Sequence, residues 1–364
     1  MSQPRVIFST AEPYFHAAQQ ELRAAFEVAC IERLGPEVGC LEVGDLDVAA
    51  VAETCRRRPV VFVRHLMREV ARIPFDSTSD DPDAVVTKVL GHFDFIPTKD
   101  NPALQVWVSG RAPGELRADD LRKRVADGLS LQGRFVARAG REDVLSVCVT
   151  PATTVLGCNR SADALADWPG GRVRLARNDQ QVSRAELKLD ELVKVFDLAL
   201  PATGTALDLG ASPGGWTRIT RQRGFTVWAV DPGDLDPRVA SDPGVHHART
   251  TAGPFLAATD RTFDLIFNDM RMTPARSCTV MLDAAKRLSA GGLAVLTLKI
   301  TPRDAFRTVR ESLRTLERAY EIVHARQLYH NRNEVTVVAR RRSPDSNVLQ
   351  ADRERGITKL TADS

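Results

Sequence analysis

The chain has no CxxC pair. Its six cysteines (Cys30, Cys40, Cys55, Cys148, Cys158, Cys278) show no ligand-like clustering either. No metal site and no disulfide framework is therefore read, and free thiols in a reducing cytosol are expected. No apolar run approaches the ~18 residues a membrane-spanning helix needs. The opening stretch, MSQPRVIFSTAEPYF, lacks a basic segment followed by an apolar one, so no secretory signal and a cytoplasmic setting are expected. Net charge is only +3, which permits a polyanionic partner without establishing one. There is no internal repeat and no GxGxxG fingerprint.

What is present fits a soluble globular protein: 364 residues, 43% hydrophobic and 27% charged, enough for two or three domains. Arg5–Ser9 reads as a strand and Glu12–Phe26 as a helix. Val38–Val43 and Val60–Val63 read as strands around a helix at Leu46–Arg57. This alternation suggests a small α+β unit over residues 1–76. The acidic, polar Ser77–Asp83 looks like a linker. A second small unit, residues 84–160, follows: a helix at Ala84–His92, a strand at Leu104–Ser109, and an amphipathic helix at Arg117–Leu131. Arg134–Ala137 and Val144–Thr150 read as a strand pair. The Gly-, Pro- and polar-rich 161–182 reads as a connection.

From Ser183 to residue 342 strands and helices alternate clearly, as in a Rossmann-like α/β domain. Helix Arg184–Ala199 precedes strand Thr205–Leu209. Strand Thr226–Val230 ends at Asp231, and strand Phe263–Phe267 ends at Asn268 and Asp269. Helix Pro274–Leu288 leads into strand Leu293–Leu298, which ends at Lys299. After helix Arg303–Arg318, strands lie near Ile322–Leu328 and Val335–Ala339. Polar residues thus collect at the C-terminal ends of strands, where open parallel sheets bind ligands. Residues 343–364 are polar, without periodicity, and read as a mobile tail.

One stretch is especially informative: DLGASPGGW, Asp208 to Trp216, between a strand and a helix. Glycines there let backbone approach a ligand where a Cβ would clash. The spacing of Gly210, Gly214 and Gly215 suits an adenosine cofactor without a pyrophosphate, such as S-adenosylmethionine (SAM). About 20 residues on, Asp231 is positioned to accept hydrogen bonds from ribose hydroxyls. Its bland alternative is a turn residue, since Pro232 and Gly233 follow.

Lys188, Asp269, Lys299 and Glu334 form a candidate catalytic group. Each has an ordinary reading: a solvated helix lysine, a turn aspartate, a strand-end lysine, an edge-strand glutamate. Lys299 is the least ordinary, because it closes the apolar run LAVLTL, where a lysine needs a partner or a function. A ribose 2′-hydroxyl is a poor nucleophile until its proton leaves. Lysine, with an ordinary pKa of ~10.4, is a poor base at neutral pH. A neighbouring ammonium and desolvation favour the neutral amine, and carboxylates offset part of that. Lys299 as base, Lys188 as second cation, and Asp269 and Glu334 as orienting groups make a chemically coherent set.

At this point the motifs resemble a known family. SRAELKLDE, DLGASPGGW, the NDM at Asn268–Met270, TLKI ending at Ile300 and NEVTVVARR are similar to the FtsJ/RrmJ-type ribose 2′-O-methyltransferases. That resemblance implies a Lys-Asp-Lys-Glu tetrad on Lys188, Asp269, Lys299 and Glu334. ARQLYHNRNEVTVVARR, Ala325 to Arg341, looks like a branch of the family that methylates a cytidine 2′-oxygen of 23S rRNA. Members of that branch carry a ferredoxin-like segment and a THUMP RNA-binding domain, so residues 1–76 and 84–160 are expected to be those units. SAM contacts are implied at Ser183, Gly210, Ser212, Pro213, Gly214, Gly215, Trp216, Asp231 and Asp269. Two departures stand out. The loop reads ASPGG where that branch has ACPGG. Thr250 and Thr251 stand where relatives hold adenine with an acid.

Rival chemistries lack their motifs. A base-amino methyltransferase wants an Asn/Asp-Pro-Pro-aromatic turn, but Asn268-Asp269-Met270-Arg271 is found. A cytosine C5 enzyme needs a catalytic cysteine, and Cys278 has no supporting context. A dehydrogenase is disfavoured by the loop spacing. A non-catalytic RNA-binding or ribosome-assembly protein is the remaining alternative. RNA contact is expected to be electrostatic. Candidates are Arg117, Arg122, Lys123, Arg124, Arg172, Arg174, Arg177 and Arg184, with Arg56–Arg58 and Arg340–Arg342 behind them.

Overall fold

The computed structural model describes residues 4–28, 30–75, 82–93, 101–111, 116–176 and 181–342. Part of the Ser77–Asp83 linker, Arg177 and the 343–364 tail lie outside the described residues. The chain divides into two units. The first comprises Met1–Leu175 with two later excursions, Pro302–Phe306 and Arg326–Arg332. The second comprises Ala176–Thr301, Arg307–Ala325 and Asn333–Ser364.

The first unit runs β1 (Arg5–Ser9), α1 (Phe15–Ala25), β2 (Cys30–Arg33), β3 (Val38–Glu42), α2 (Val48–Arg57), β4 (His65–Pro74), α3 (Pro82–His92), β5 (Ala103–Val108), α4 (Ala118–Leu131), β6 (Asp143–Val149) and β7 (Thr153–Arg160). Strand alternation sorts the core. In β5, Leu104 and Val106 face α3 and α4, meeting Val89, Val125 and Leu129. Trp107 faces the other way, with Ile7, Met67, Cys148 and Val155. Fully burying one such side chain stabilises by roughly 1.5–3 kcal/mol.

All seven strands make one sheet, in the order β2-β3-β1-β4-β7-β6-β5. The long strand β4 joins its two halves. His65–Arg68 pair antiparallel with β1, and Arg68–Pro74 pair antiparallel with β7 across a bulge between Glu69 and Ala71. The two small units expected before Ser183 therefore share a sheet.

Three local expectations need correcting. Val60–Val63 is not a strand: the Val61 and Phe62 N–H groups donate to the Glu21 carboxylate (3.1 and 2.8 Å) and not to a ladder. Arg134–Ala137 does not pair with β6; Ala137 makes an isolated parallel bridge to Ala103, and β6 lies between β5 and β7. Residues 161–175 are not a free connection. Ala164, Leu165, Ala166 and Val173 are buried in the first unit, which holds them.

The second unit runs α5 (Ala185–Phe196), β8 (Gly204–Leu209), α6 (Gly215–Gln222), β9 (Phe225–Val230), α7 (Pro237–Ala240), β10 (Val245–Ala248), α8 (Ala252–Ala258), β11 (Phe263–Asn268), α9 (Pro274–Ala284), β12 (Leu288–Lys299), α10 (Ala305–Leu316), β13 (Tyr320–Arg326) and β14 (Glu334–Arg341), with the ends of α10 and β13 reaching into the first unit's excursions. The sheet order is β10-β9-β8-β11-β12-β14-β13. β8 through β12 pair in parallel, and β14 runs antiparallel to β12. Order reverses between β8 and β11, and a Rossmann-like sheet binds ligands at that switch point, beyond the strand ends. The antiparallel register pairs Lys299, last in β12, with Glu334, first in β14.

Candidate active site

β8 delivers its chain into the glycine loop. Gly210 (φ 80°) and Gly214 (φ 107°) hold left-handed backbone, which other residues adopt only at a cost. Gly214 caps α6 with no side chain across the helix N-terminus, so the first N–H groups of α6 have no capping side chain. A Cβ on Gly215 would collide with the Ser183 hydroxyl. That hydroxyl oxygen is buried and has no hydrogen-bond partner among the described residues.

The segment ahead of α5 is pinned from two sides. Glu186, 1% exposed, accepts from the Val182 N–H (2.7 Å) and from Arg218 (2.9 Å). Trp216 Nε1 donates to the Ala185 carbonyl at 2.6 Å. Beneath the loop, Asp208 accepts from the Thr217 hydroxyl at 2.6 Å, and burial pushes its carboxyl up to about 7.

Asp231 is held in the turn its ordinary reading described. Its Oδ1 accepts the Gly233 N–H (2.7 Å) as a turn residue, and its Oδ2 accepts the Ser212 N–H (3.2 Å), tying the loop to the end of β9. Each carboxylate oxygen retains a further lone pair for a ligand hydroxyl. Thr251 stands at the N-cap of α8, without a capping side-chain bond.

Past the ends of β11 and β12 the four candidate side chains meet. Lys188 Nζ lies 3.0 Å from Asp269 Oδ2 and 2.6 Å from Glu334 Oε2. Lys299 Nζ lies 2.7 Å from Asp269 Oδ1 and 3.0 Å from Glu334 Oε1. The result is a closed ring in which each ammonium touches both carboxylates and the charges cancel. Lys188 is not a solvated helix lysine: its side chain is only 12% exposed. Thr297, invisible as a site residue in the sequence, donates to Asp269 Oδ1 at 2.6 Å.

Charge balance in the ring is decided by neighbours over burial. Burial works to lower the Lys188 pKa, but Asp269 and Glu334 outweigh it and hold that ammonium above its ordinary value. The offset expected from the carboxylates is thus the dominant effect at this lysine. Burial likewise works to raise the Asp269 carboxyl, and the two ammonium groups with their hydrogen bonds hold it below the usual range.

The basic residues expected to meet RNA divide in two. Arg124 is engaged by Asp83 and Asp120, Arg174 by Asp119, Arg172 by Glu37, and Arg56 and Arg57 by Glu53. Arg341 and Arg342 donate to the Leu288 and Tyr320 carbonyls. Arg117, Lys123 and Arg184 are exposed. Sequence reasoning passed over Arg138 and Arg141, which are exposed beside Phe135. Their signal was an aromatic residue interleaved with arginines in a loop. Among the described residues, no three or more His, Cys, Asp or Glu are grouped to hold a metal ion, and no helix is long and apolar enough to cross a membrane.

With this geometry in hand, comparison with known proteins is informative. Residues 181–350 match the family described as FtsJ-like methyltransferase. The ribosomal RNA large subunit methyltransferase M of Halorhodospira halophila (strain DSM 244 / SL1) is 40% identical over 177 residues, 48% of this chain and 51% of that protein. The protein of the same name from Laribacter hongkongensis (strain HLHK9) is 29% identical over 355 residues, 91% of this chain and 95% of that protein. In Methylococcus capsulatus (strain ATCC 33009 / NCIMB 11132 / Bath) the likeness is 34% over 198 residues, 52% of this chain and 55% of the relative. Alignment thus spans about half the length of the first and third relatives and nearly all of the second.

Proposed function

We propose, on the premise that this chain belongs to the FtsJ-like methyltransferase family through residues 181–350, that it is a SAM-dependent RNA ribose 2′-O-methyltransferase. Its substrate is a cytidine of large-subunit 23S rRNA in the cytoplasm. The observation that carries this reading is the closed ring of two ammonium and two carboxylate groups at the strand ends. The names of the relatives support an rRNA substrate.

The loop residues fit the cofactor. An unpartnered buried hydroxyl at Ser183, a glycine cradle and an aspartate with spare acceptors are what an adenosine-bearing amino acid needs. When bound, SAM supplies an activated methyl group on a sulfonium. Asp231 accepts the cofactor's ribose hydroxyls, and Ser183 with the loop backbone from Gly210 to Trp216 orients the rest. Lys299 takes the proton of the RNA 2′-hydroxyl. The deprotonated 2′-oxygen would be the acceptor for the methyl group that bound SAM would supply. Lys188 holds Asp269 and Glu334 from the far side, so the base keeps its aim. Alignment and proton removal make up the catalysis.

The first unit supplies the RNA-binding surface, with residues 1–76 ferredoxin-like and 84–160 THUMP-like. Leu131 is 91% and Phe135 60% exposed. Among the described residues, the neighbouring Arg138 and Arg141 have no acidic partner. Aromatic faces stack on bases, and uncommitted guanidinium groups meet phosphates.

The direct test is Lys299→Ala. Methyl transfer to an unmodified 23S rRNA transcript is expected to fall about 10²–10⁴-fold, with SAM binding unchanged by calorimetry. Undiminished turnover would remove Lys299 from the role of base. No SAM binding by the unmutated protein would favour a non-catalytic RNA-binding protein that keeps the fold.

A further inference from the structure

The ring of two ammonium and two carboxylate groups is electrically neutral, so it offers a polyanion no net attraction. The segment that leaves it is not neutral. Residues 270–282 hold two arginines, Arg271 and Arg276, and no acid. Both arginines are exposed, and among the described residues neither has an acidic partner.

The turn that carries them is tied down. Asn268, which has no exposed surface, accepts from the Met270 N–H and donates to the Ser277 hydroxyl, both at 3.1 Å. The Met272 N–H donates back to the Met270 carbonyl at 3.1 Å. Met270 packs against the glycine loop, since a Cβ on Gly210 would collide with its side chain. Arg271 stands two residues after Asp269, so their backbones lie within ~7 Å of each other. Arg276 follows on the first turn of α9, at the positive end of that helix's dipole. Both side chains therefore spring from a fixed backbone at the edge of the ring.

We infer that Arg271 and Arg276 bind the backbone phosphates on either side of the methylated nucleotide. The inference rests on Lys299 taking the proton of a ribose 2′-hydroxyl. A sugar held there carries one phosphodiester on its 3′ oxygen, next to the 2′ carbon, and another on its 5′ oxygen. Those two anions come to rest beside the ring, which has no charge left to offer them. A guanidinium fork matches two phosphate oxygens at once and stays charged at any working pH. Phosphate contacts of this kind fix position on a nucleic acid without reading its sequence. The ring is left to the hydroxyl, and the arginines hold the strand that presents it.

The full-length protein is tested for binding and methyl transfer with an unmodified 23S rRNA transcript across a salt series. Arg271→Gln and Arg276→Gln are each expected to raise KM for RNA about tenfold, as for loss of a hydrogen bond to a charged group, with SAM affinity unchanged by calorimetry. Each should also reduce the steepness of log Kd against log salt by about 0.7, the share of one phosphate on a single strand. Arg271→Lys and Arg276→Lys keep the charge and should restore the steepness. Arg318→Gln removes a likewise exposed arginine at the opposite end of the sheet, where Ala319 accepts from the Arg342 N–H. It should change neither KM nor salt dependence. A salt dependence equal to the unmutated protein's in both glutamine variants, or an equal loss in Arg318→Gln, would overturn the assignment of the two arginines and leave the methyl-transfer reading standing. Full activity in Lys299→Ala would instead sink the reading beneath it.

Discussion

Two carboxyl groups withdrawn from water, one in each unit, behave in opposite ways. Glu21 in the first unit is met by the Val61 and Phe62 backbone N–H groups, and burial pushes it up to about 8. Asp269 in the second unit is partly buried, its side chain 16% exposed, yet Lys188 and Lys299 hold it below the ordinary carboxylate range. Two neutral donors do not offset the loss of water around Glu21; two full charges do so around Asp269. A partly buried carboxylate flanked by ammonium groups is an expensive arrangement for a fold to maintain, which makes Asp269, and not Glu21, the site candidate.

The largest effect is expected from removing the charge of Asp269. Asp269→Asn leaves both ammonium groups short of an anion. Breaking a buried pair in this way costs about 3–5 kcal/mol, read as a lower midpoint in urea, and methyl transfer should fall with it. A stability equal to the unmutated protein's would mean that the ring contributes nothing, and the contrast with Glu21 would disappear.

Lys188→Met is a smaller change that moves Asp269 toward the situation of Glu21. With only Lys299 left as a cation, the Asp269 carboxyl should titrate at higher pH, visible in its carbon NMR shift. Because the folded Asp269 pKa is depressed, its contribution to stability is present above the unfolded value of ~3.9 and lost as pH falls through the folded one. In Lys188→Met the acid-side loss should still begin near ~3.9 but be smaller and finish at higher pH. An unmoved titration would assign the shift to Lys299 and Thr297.

Glu21→Gln should have the smallest effect and the opposite pH dependence. A raised carboxyl contributes stability that is complete below its unfolded pKa and is lost as pH rises through about 8. Thermal melts of the unmutated protein should therefore fall as pH rises from ~4.3 to about 8 and level off above that, and Glu21→Gln should flatten the slope. Near neutral pH the variant loses about one neutral hydrogen bond, roughly 0.5–1.5 kcal/mol. An unchanged slope would mean that Glu21 stays ionised in the folded state.

The same contrast explains what could be read in advance. Lys299 stood out because an ammonium closes an apolar strand, and Asp231 and Asp269 because acids follow strands. Strand ends are legible wherever hydrophobic periodicity stops at a charge. Thr297 was not, since threonine is ordinary in a strand and its role appears only when the pairing of β12 with β14 gathers the ring. Glu21 was hidden for a similar reason: its partners lie some 40 residues on. They turned an apolar run that looked like a strand into a loop. β2, β7 and β10 escaped notice because CIER, TTVLGCNR and VHHA carry too few apolar positions in alternation. The Rossmann-like order from β8 on was plain, because its strands are near-continuous apolar runs.

One consequence follows from the excursion Arg326–Arg332. The first unit is not a single stretch of chain: buried Arg64 donates to the Gln327 and Leu328 carbonyls at 3.0 Å, and Arg326 to the Leu165 carbonyl at 2.8 Å. A fragment ending at Leu175 would take the Gln327 and Leu328 carbonyls away from the buried Arg64 guanidinium. Glu334 enters the ring only two residues after that excursion ends. Met1–Leu175 expressed alone is therefore expected to be less stable than the same stretch in the full chain.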